Sequence, residues 1–358
     1  MRHLRRSTIV LLSLFLVLGA ACGGDDDEPS DAGGDEETQE TATVRLIFAF
    51  PPDISMPGFY VSEAEGYFEE EGIEVEDSIV DGTASVIQQM VAGRGDIGTV
   101  GPSGLLASAQ EGASLPVVYQ IDHENIFAIV TPSDSGITEV ADLEGETLGI
   151  TSPAGGEVPT VEAALSEAGL EPNRDVELVS VGDGGPQVAE ALESGRIAAF
   201  AGGDADTLAL QQLGAELTNI LPDKYTALPG NSMAVSTEFL EESPDVAARF
   251  LRAWAKGTLF AIDNPEKALE YGCDFAPENC TDMEFAELAI DYYVGLQVPP
   301  EDEFGNISES GWQTTAEIMI QEDLLDEGFD LGTVLDPSLL DDVNDFDRED
   351  IASDASNG

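Results

Sequence analysis

The sequence predicts an α/β fold of two similar lobes, each an open and mainly parallel sheet flanked by helices, with a helical C-terminal third. Three observations lead to this prediction. Short β-rich runs alternate with helical patterns from residue 44 onward, one stretch of the first half recurs in the second half, and helical patterns dominate after residue 243. Alternating strands and helices are typical of a parallel sheet covered by helices.

The individual elements follow from local hydrophobic patterns and from the Gly and Pro residues between them. The runs expected to form strands are 44–50, 73–80, 96–101, 116–121, 126–131, 147–151, 176–182, 197–202 and 233–236. The segments expected to form helices between them are 58–70, 84–92, 104–111, 158–167, 186–193 and 205–213.

An internal repeat predicts that the two lobes resemble each other. Residues 86–113 align without a gap with residues 188–215, at an offset of 102, and nine of the 28 positions are identical. The Gly93-Arg94 turn thereby matches Gly195-Arg196. Each copy consists of a helix, a Gly-Arg turn, a strand, a loop and a second helix. Ligands of open α/β sheets bind at the carboxyl ends of the strands, so a binding crevice is expected there in each lobe.

The N-terminal residues 1–21 have the pattern of a secretory leader. Arg2, Arg5 and Arg6 precede an apolar run, and Leu18-Gly19-Ala20-Ala21-Cys22 matches the cleavage box before a lipid-modified cysteine. An uncleaved transmembrane anchor is the alternative, but it needs about 20 apolar residues and this run is shorter. We therefore expect Cys22 to carry a lipid that holds the protein at the extracytoplasmic face of the cell membrane.

Residues 22–43 are expected to form a disordered acidic tether, because acids and small polar residues cannot bury enough apolar surface to fold. The whole chain is also strongly acidic, with a formal net charge of −59. The leader holds three of its 13 basic residues and no acid, so the remainder carries −62. Such a charge excludes nucleic acid as a partner, since phosphate binding needs clustered Lys and Arg. It also favours a saline habitat, where salt screens the self-repulsion.

The two remaining cysteines, Cys273 and Cys280, flank a short turn. A disulfide is the expected state in an exported protein, whereas a metal site is disfavoured because His123 is the only histidine beyond the leader and lies far away in sequence. We expect no metal and no cofactor.

The predicted crevice is formed by the loops 50–58, 81–85, 101–104, 122–125, 152–157, 182–187 and 202–206, which contain acids but neither Lys nor Arg. Carboxylates accept hydrogen bonds from N–H donors and aromatic rings stack on heterocycles, so an amino-bearing heterocycle is favoured over an anion. An anion would depend on backbone N–H groups and hydroxyls. Surface, turn or core roles remain the alternatives for each side chain. The candidate ligand-binding residues are Asp53, Phe59, Tyr60, Thr83, Ser85, Ser103, Asp122, His123, Ser152, Glu157, Gln187 and Asp204.

Several motifs resemble those of the solute-binding proteins of ABC importers in the nitrate, sulfonate, taurine and thiamine-precursor group. They are Gly66-Tyr67-Phe68, Gly72-Ile73-Glu74-Val75, Gly93-Arg94-Gly95-Asp96-Ile97 and the stretch 142–165. The resemblance covers about residues 44–267 and implies a two-lobed periplasmic-binding-protein fold of type II.

The resemblance also implies an organisation and a set of partners. Residues 44–132 plus 234–346 would form lobe 1 and 133–233 lobe 2, with crossovers near 131–135 and 229–236 and an acidic tail at 347–358. A membrane permease and its ATPase would be the partners of a monomeric receptor. The expected ligand is a thiamine-pyrimidine-like heterocycle, ahead of sulfonates, taurine and nitrate.

An enzyme is the alternative, because the family includes a cytosolic pyrimidine synthase that uses histidine chemistry and a metal. The export signal and the single remaining histidine, His123, disfavour it.

Overall fold

The computed structural model describes residues 41–351 apart from 154, 227, 322 and 323. The leader, Cys22, most of the tether 22–43 and the end of the tail 347–358 lie outside the described residues. The tether prediction extends slightly too far, because the first strand begins at Ala42 and pairs with its neighbour from that residue onward.

Two five-stranded sheets organise the described chain. The first has the strand order β2-β1-β3-β10-β4 and the second β7-β6-β8-β5-β9. Their strands are β1 (Ala42–Phe48), β2 (Ile73–Ile79), β3 (Ile97–Val100), β4 (Val117–Gln120), β5 (Phe127–Pro132), β6 (Thr147–Ile150), β7 (Glu177–Ser180), β8 (Ala199–Gly203), β9 (Leu217–Asn219) and β10 (Ser232–Val235). We call the first sheet with its helices lobe 1 and the second lobe 2.

Both sheets are mixed but mainly parallel, since one strand in each runs against the other four. Strands β1, β2 and β3 are parallel, as are β6, β7 and β8, but β10 and β5 run antiparallel to both of their neighbours. Each antiparallel strand is the first one the chain forms after entering its lobe from the other lobe. The two-lobed α/β fold itself is confirmed.

The expected crossover positions need a correction at the first boundary. Strand β5 begins at Phe127 and pairs with β8 and β9, so the chain leaves lobe 1 before residue 127 and not near 131–135. The boundary at 132/133 therefore fell one strand too late, because the run 126–131 has the composition of a strand of either sheet. The second crossover ends where β10 begins at Ser232.

Helices cover both faces of each sheet. They are α1 (Pro57–Glu65), α2 (Tyr67–Glu70), α3 (Gly82–Val91), α4 (Pro102–Gln110), α5 (Val158–Glu167), α6 (Pro186–Glu193), α7 (Asp204–Gln212), α8 (Asp223–Thr226), α9 (Thr237–Glu242), α10 (Pro244–Asp263), α11 (Pro265–Phe275), α12 (Met283–Leu296), α13 (Glu309–Gln321) and α14 (Leu340–Val343). The C-terminal third is helical, as expected. Within the described ranges, no helix is both long and apolar enough to cross a bilayer.

The helix expected over 58–70 is divided in two. Gly66 adopts a left-handed conformation with φ of 81° and ends α1 before α2 begins. Glycine accepts this conformation without the steric cost that a Cβ atom causes. The sequence also did not indicate β9, which is only three residues long.

The hydrophobic core of lobe 1 lies on both sides of its sheet. One face packs against α1, α10, α11 and α12 around Phe59, Phe250 and Trp254, and the other packs against α3, α4 and α13 around Trp312. Lobe 2 has smaller clusters on either face of its sheet. Cys273 and Cys280 form a disulfide between the end of α11 and the turn before α12.

The repeat in the sequence corresponds to equivalent positions in the two sheets. Leu46 is paired with Ile97 in lobe 1, and Leu148 is paired with Ala199 in lobe 2, each at the offset of 102. The carboxyl ends of β1 and β3 therefore have direct counterparts in β6 and β8.

Candidate functional site

A cavity of about 640 Å³ lies where loops at the strand ends of the two lobes meet. This volume is within the range of small-molecule sites, about 300–1,000 Å³. Lobe 1 contributes the end of β1, the starts of α3 and α4, and α13, while lobe 2 contributes the start of α5. Both crossovers complete the wall. The lining residues are Ala49, Phe50, Asp81, Gly82, Thr83, Ala84, Gly101, Pro102, Ser103, Gly104, Asn125, Ile126, Phe127, Gly156, Pro159, Thr160, Leu228, Pro229, Gly230, Asn231, Thr315 and Ile318.

Two aromatic rings belong to this wall. Phe50 follows β1 in lobe 1 and Phe127 begins β5 in lobe 2, and both are half-buried. Phe127 packs closely against Gly156, where a Cβ atom would lie 2.7 Å from the Phe127 Cζ atom. A glycine at position 156 is therefore needed for the ring to lie against the start of α5. Aromatic faces of this kind suit a flat ring system.

Two asparagines place amide groups at the crossovers. The Asn125 Oδ1 atom accepts a hydrogen bond from the Phe127 backbone N–H at 3.1 Å, which fixes the orientation of the amide. The Asn125 Nδ2 donor is buried and has no partner among the described residues. On the second crossover, the Asn231 Nδ2 atom donates to Asp122 Oδ2 at 2.8 Å. Asn125 therefore offers an unused donor at the cavity, which is costly unless a ligand or water accepts it.

The cavity wall carries little charge. Among the described lining residues there is no Lys, Arg or His, and Asp81 is the single acid. Hydroxyl groups come from Thr83, Ser103, Thr160 and Thr315. This composition suits an uncharged polar molecule with an apolar ring better than an ion.

Two of the predicted ligand-binding residues, Thr83 and Ser103, line the cavity. Thr83 also has a local role, since its Oγ1 atom accepts a hydrogen bond from the Gly101 N–H at 2.9 Å. Contact of either residue with a ligand remains a prediction.

The predicted aromatic candidates, Phe59 and Tyr60, lie in the core of lobe 1 and not in the cavity. Phe59 is 4 % exposed and stacks on Trp254, and Tyr60 is 2 % exposed and stacks on Phe275. The reason is that α1 buries this face against α10 and α11. Phe50 and Phe127 are the aromatic residues that reach the cavity instead.

Four other predicted residues are also outside the lining. Asp53 accepts hydrogen bonds from the N–H and the hydroxyl of Ser55, at 2.9 and 2.6 Å, and so shapes its own turn. Ser85 and Ser152 are half-buried, and Gln187 is exposed on a separate cleft of lobe 2.

The carboxylate of Glu157 is buried behind the lobe 2 wall, with the residue only 2 % exposed. Its Oε1 atom accepts hydrogen bonds from the Thr151 backbone N–H at 2.9 Å and from the Thr151 hydroxyl at 2.7 Å. Glu157 therefore holds the end of β6, next to Gly156 in the cavity wall.

Asp122 and His123 stabilise the first crossover. Asp122 is buried and accepts hydrogen bonds from Asn231 and from Gln297 Nε2, while burial raises the pKa of Asp122 to about 6. His123 lies next to Gln120, with 3.5 Å between Nδ1 and Gln120 Nε2, and burial lowers the pKa of His123 to about 4. Neither residue lines the cavity, although Asp122 holds Asn231 in place there.

Asp204 joins the two lobes. It begins α7 in lobe 2, and its Oδ1 atom accepts a hydrogen bond of 2.8 Å from the hydroxyl of Tyr292 on α12 in lobe 1. Its Oδ2 atom is buried without a partner among the described residues. Burial, together with the charges of Asp122, Asp206 and Glu124, raises the pKa of Asp204 to about 8.

The sequence did not indicate several residues of this site. Asn125 is the last residue of the expected loop 122–125 and Phe127 lies just beyond it, but neither was among the predicted ligand-binding residues. Tyr292 and Thr315 come from the C-terminal helices, where no local pattern shows which helix side reaches the other lobe. Among the described residues, no group of three or more His, Cys, Asp or Glu side chains is arranged to hold a metal ion.

The architecture of two mixed α/β sheets with a cavity between the lobes defines a protein of the periplasmic-binding-protein fold. The aliphatic sulphonate binding protein SsuA from Escherichia coli has a similar structure, with a TM-score of 0.65 and 16 % identity over 81 % of this chain and 91 % of SsuA. The nitrate-binding protein NrtA from Synechocystis PCC 6803 gives 0.58 and 16 % identity over 89 % of each chain.

The chain belongs to the NMT1/THI5-like family, whose model matches residues 54–268. The riboflavin-binding protein RibY of Chloroflexus aurantiacus is 26 % identical over 289 residues, which cover 78 % of this chain and 80 % of RibY. The formylaminopyrimidine-binding protein of Halalkalibacterium halodurans is 24 % identical over 328 residues, 89 % of this chain and 94 % of that protein. The Saccharomyces cerevisiae 4-amino-5-hydroxymethyl-2-methylpyrimidine phosphate synthase THI5 is 24 % identical over 242 residues, 64 % of this chain and 69 % of the enzyme.

Proposed function

We propose that this protein is a lipid-anchored extracytoplasmic receptor that binds a nitrogen heterocycle between its lobes and delivers it to an ABC importer. The observation that carries the proposal is the cavity, which combines two aromatic rings with an unused amide donor and has no basic residue in its described lining. The leader and Cys22 support the anchor, and a permease with its ATPase would be the partners of a monomeric receptor.

The chemistry of the wall selects the ligand class. Phe50 and Phe127 offer ring faces, and the Asn125 Nδ2 donor fits a carbonyl oxygen or a ring nitrogen that accepts a hydrogen bond. Sulfonates, taurine and nitrate carry an anionic group that would meet no cationic side chain here. The names of RibY and of the formylaminopyrimidine-binding protein agree with this preference, since riboflavin and formylaminopyrimidine are both nitrogen heterocycles.

A binding role is favoured over an enzymatic one. The names of two relatives that match most of this chain describe binding, whereas the synthase THI5 matches less of it. His123, the one histidine beyond the leader, is outside the cavity lining and lies against Gln120. A rival synthase would convert its ligand, so recovery of chemically unchanged ligand after prolonged incubation tests this point directly.

Thermal-shift and calorimetric titrations test the ligand class. The probes are riboflavin, formylaminopyrimidine, 4-amino-5-hydroxymethyl-2-methylpyrimidine, taurine, methanesulfonate and nitrate. A ligand present at about 100 times its Kd adds about 2.7 kcal/mol to the free energy of unfolding. The proposal expects stabilisation by at least one heterocycle and is contradicted if only taurine, methanesulfonate or nitrate stabilises the protein.

The variant Asn125→Asp tests the amide donor. An aspartate keeps the oxygen that accepts the Phe127 N–H but loses the Nδ2 donor, so the affinity for the bound heterocycle should fall by about tenfold or more. Asn219→Asp is the matched control, because Asn219 accepts the Leu221 N–H in the same way outside the cavity. Equal affinities of the two variants would show that Asn125 does not contact the ligand.

A further inference from the structure

We propose that the carboxylates of Glu157 and Asp206 determine the ligand selectivity of lobe 2. They accept hydrogen bonds from backbone N–H groups at the strand ends, and their negative charge restricts the cavity to ligands without an anionic group. This inference rests on the proposed function and narrows its ligand class.

Both carboxylates accept hydrogen bonds from backbone N–H groups at the strand ends of lobe 2. The Asp206 Oδ2 atom accepts the Gly203 N–H at 2.8 Å, and its Oδ1 atom accepts the Gly184 N–H. The Glu157 Oε1 atom accepts the N–H and the hydroxyl of Thr151. Free backbone N–H groups at strand ends and helix starts are the usual anion sites of such folds. In lobe 2 the strand-end N–H groups of Thr151, Gly184 and Gly203 are already bonded to these carboxylates.

In lobe 1, uncharged side chains accept the hydrogen bonds of the equivalent backbone N–H groups. The Thr99 hydroxyl oxygen accepts the Ala49 N–H at 2.9 Å, and the Thr83 hydroxyl oxygen accepts the Gly101 N–H at 2.9 Å. At the offset of 102, Ala49 corresponds to Thr151 and Gly101 to Gly203. The two amides are thus equivalent in the lobes, but hydroxyls satisfy them in lobe 1 and carboxylates in lobe 2.

The side chains at the equivalent positions of the two lobes differ accordingly. The positions equivalent to Thr99 and Thr83 are Ala201 and Gly185, which have no hydroxyl. Conversely, the position equivalent to Asp206 is Gly104. A hydroxyl is enough to satisfy the equivalent amides of lobe 1, so the carboxylates of lobe 2 add negative charge at these positions.

The added charges lie next to the cavity and lack a counter-ion. Glu157 follows Gly156 of the wall, and Asp206 is bonded to Gly203, the sheet neighbour of Phe127. Neither carboxylate forms an ion pair with a Lys, Arg or His side chain of the described residues. Glu157 is buried and Asp206 is half-buried, and such charges are screened by salt less than fully exposed ones. An anion in the cavity would therefore be repelled even in concentrated salt, where the acidic surface has lost its effect.

Matched pairs of probes measure this selectivity. Riboflavin is compared with riboflavin 5′-phosphate, and 4-amino-5-hydroxymethyl-2-methylpyrimidine with its phosphate ester. Titrations at about 1 M NaCl suppress the field of the surface charges, because the screening length there is about 3 Å. The wild type should bind the neutral member about 100-fold more tightly than its phosphate ester.

Variants then assign the selectivity to the two carboxylates. Glu157→Gln keeps an oxygen for Thr151, and Asp206→Asn keeps an oxygen for one of the two glycine amides. Each should narrow the ratio of the affinities for the neutral and the phosphorylated ligand by about tenfold, because one charge next to the cavity is removed. Glu190→Gln, an exposed acid of α6, removes the same charge elsewhere and should leave the ratio unchanged. A purely structural role of Glu157 would weaken both members of a pair equally.

The outcomes separate this inference from the proposed function. Equal affinity of the wild type for both members of a pair, or an unchanged ratio in both variants, overturns the inference while the heterocycle receptor stands. If no heterocycle binds, the proposed function fails. Titration with methanesulfonate and inorganic phosphate then tests whether the two carboxylates exclude anions. Stabilisation of the wild type by either anion would then overturn the inference, and stabilisation of Glu157→Gln alone would support it.

Discussion

Replacing Asp204 by asparagine should remove much of the pH dependence of stability. Asp204 is buried where α7 of lobe 2 meets α12 of lobe 1, and only one of its carboxylate oxygens has a partner, the Tyr292 hydroxyl. Burial and the neighbouring charges of Asp122, Asp206 and Glu124 raise the pKa of Asp204 to about 8, from an ordinary 3.8. The folded protein therefore keeps this carboxyl protonated over a pH range in which the unfolded chain releases the proton.

The sign of the effect follows from that difference. Between about pH 4 and about pH 8 the folded state binds more protons than the unfolded state, so the free energy of unfolding falls as the pH rises and levels off above about pH 8. At about 1.36 kcal/mol per pKa unit, Asp204 accounts for a decrease of at most about 6 kcal/mol. Asp122, whose pKa is raised to about 6, adds a decrease of the same sign that ends at a lower pH.

Urea unfolding at several pH values between about 5 and about 9, at constant ionic strength, measures this dependence. Asp204→Asn cannot ionise, so its curve should be flatter, and above about pH 8 the variant should be more stable than the wild type. Asp291→Asn on the exposed side of α12 is the control and should follow the wild type. A slope in Asp204→Asn equal to that of the wild type would refute the reasoning about this carboxyl.

Three further predictions concern packing, the disulfide and salt. Gly58→Ala should lower the free energy of unfolding by about 1 to 3 kcal/mol, because the new Cβ would lie 2.2 Å from Trp254 Nε1; Gly295→Ala meets no atom within 4 Å and should not be destabilising in the same urea assay. Reduction of the Cys273–Cys280 disulfide should cost about 2 to 3 kcal/mol in a comparison of oxidised and reduced protein, and equal stabilities would contradict a structural role. The melting temperature should rise between low salt and about 1 M NaCl, since screening relieves the repulsion of a chain with a formal charge of −59; a constant value would argue against adaptation to salt.

The sequence predicted the fold well where a pattern extends over several residues. The helices expected at 158–167 and 186–193 have the observed bounds of α5 and α6, and the repeat indicated two related lobes. The assignment of β5 to a lobe failed, because strand composition does not specify which sheet a strand joins. Sheet membership depends on contacts with β8 and β9, which are distant in sequence.

The site was predictable as a set of loops but not as a set of side chains. The loops 81–85 and 101–104 contribute Thr83 and Ser103 to the cavity, as the position of strand ends implies. Phe59 and Tyr60 were misplaced because an aromatic residue just after a loop can face either the core or the crevice. That choice depends on α10, whose Trp254 lies nearly two hundred residues later and covers Phe59.

The acidity of this chain and the chemistry of its cavity have separate physical causes. The field of the surface charges extends only over the screening length, which shortens as salt is added. These charges therefore cannot provide selectivity in concentrated salt. Asp81 is the one acid in the described cavity lining, while Glu157 lies behind the wall. Selectivity at high salt must come from groups that salt screens weakly, and the buried carboxylate of Glu157 meets that requirement. In lobe 1 the hydroxyls of Thr99 and Thr83 accept the equivalent amides, so this pair of carboxylates is a feature of lobe 2 alone, and the repulsion of an anion should come from the lobe 2 side of the cavity.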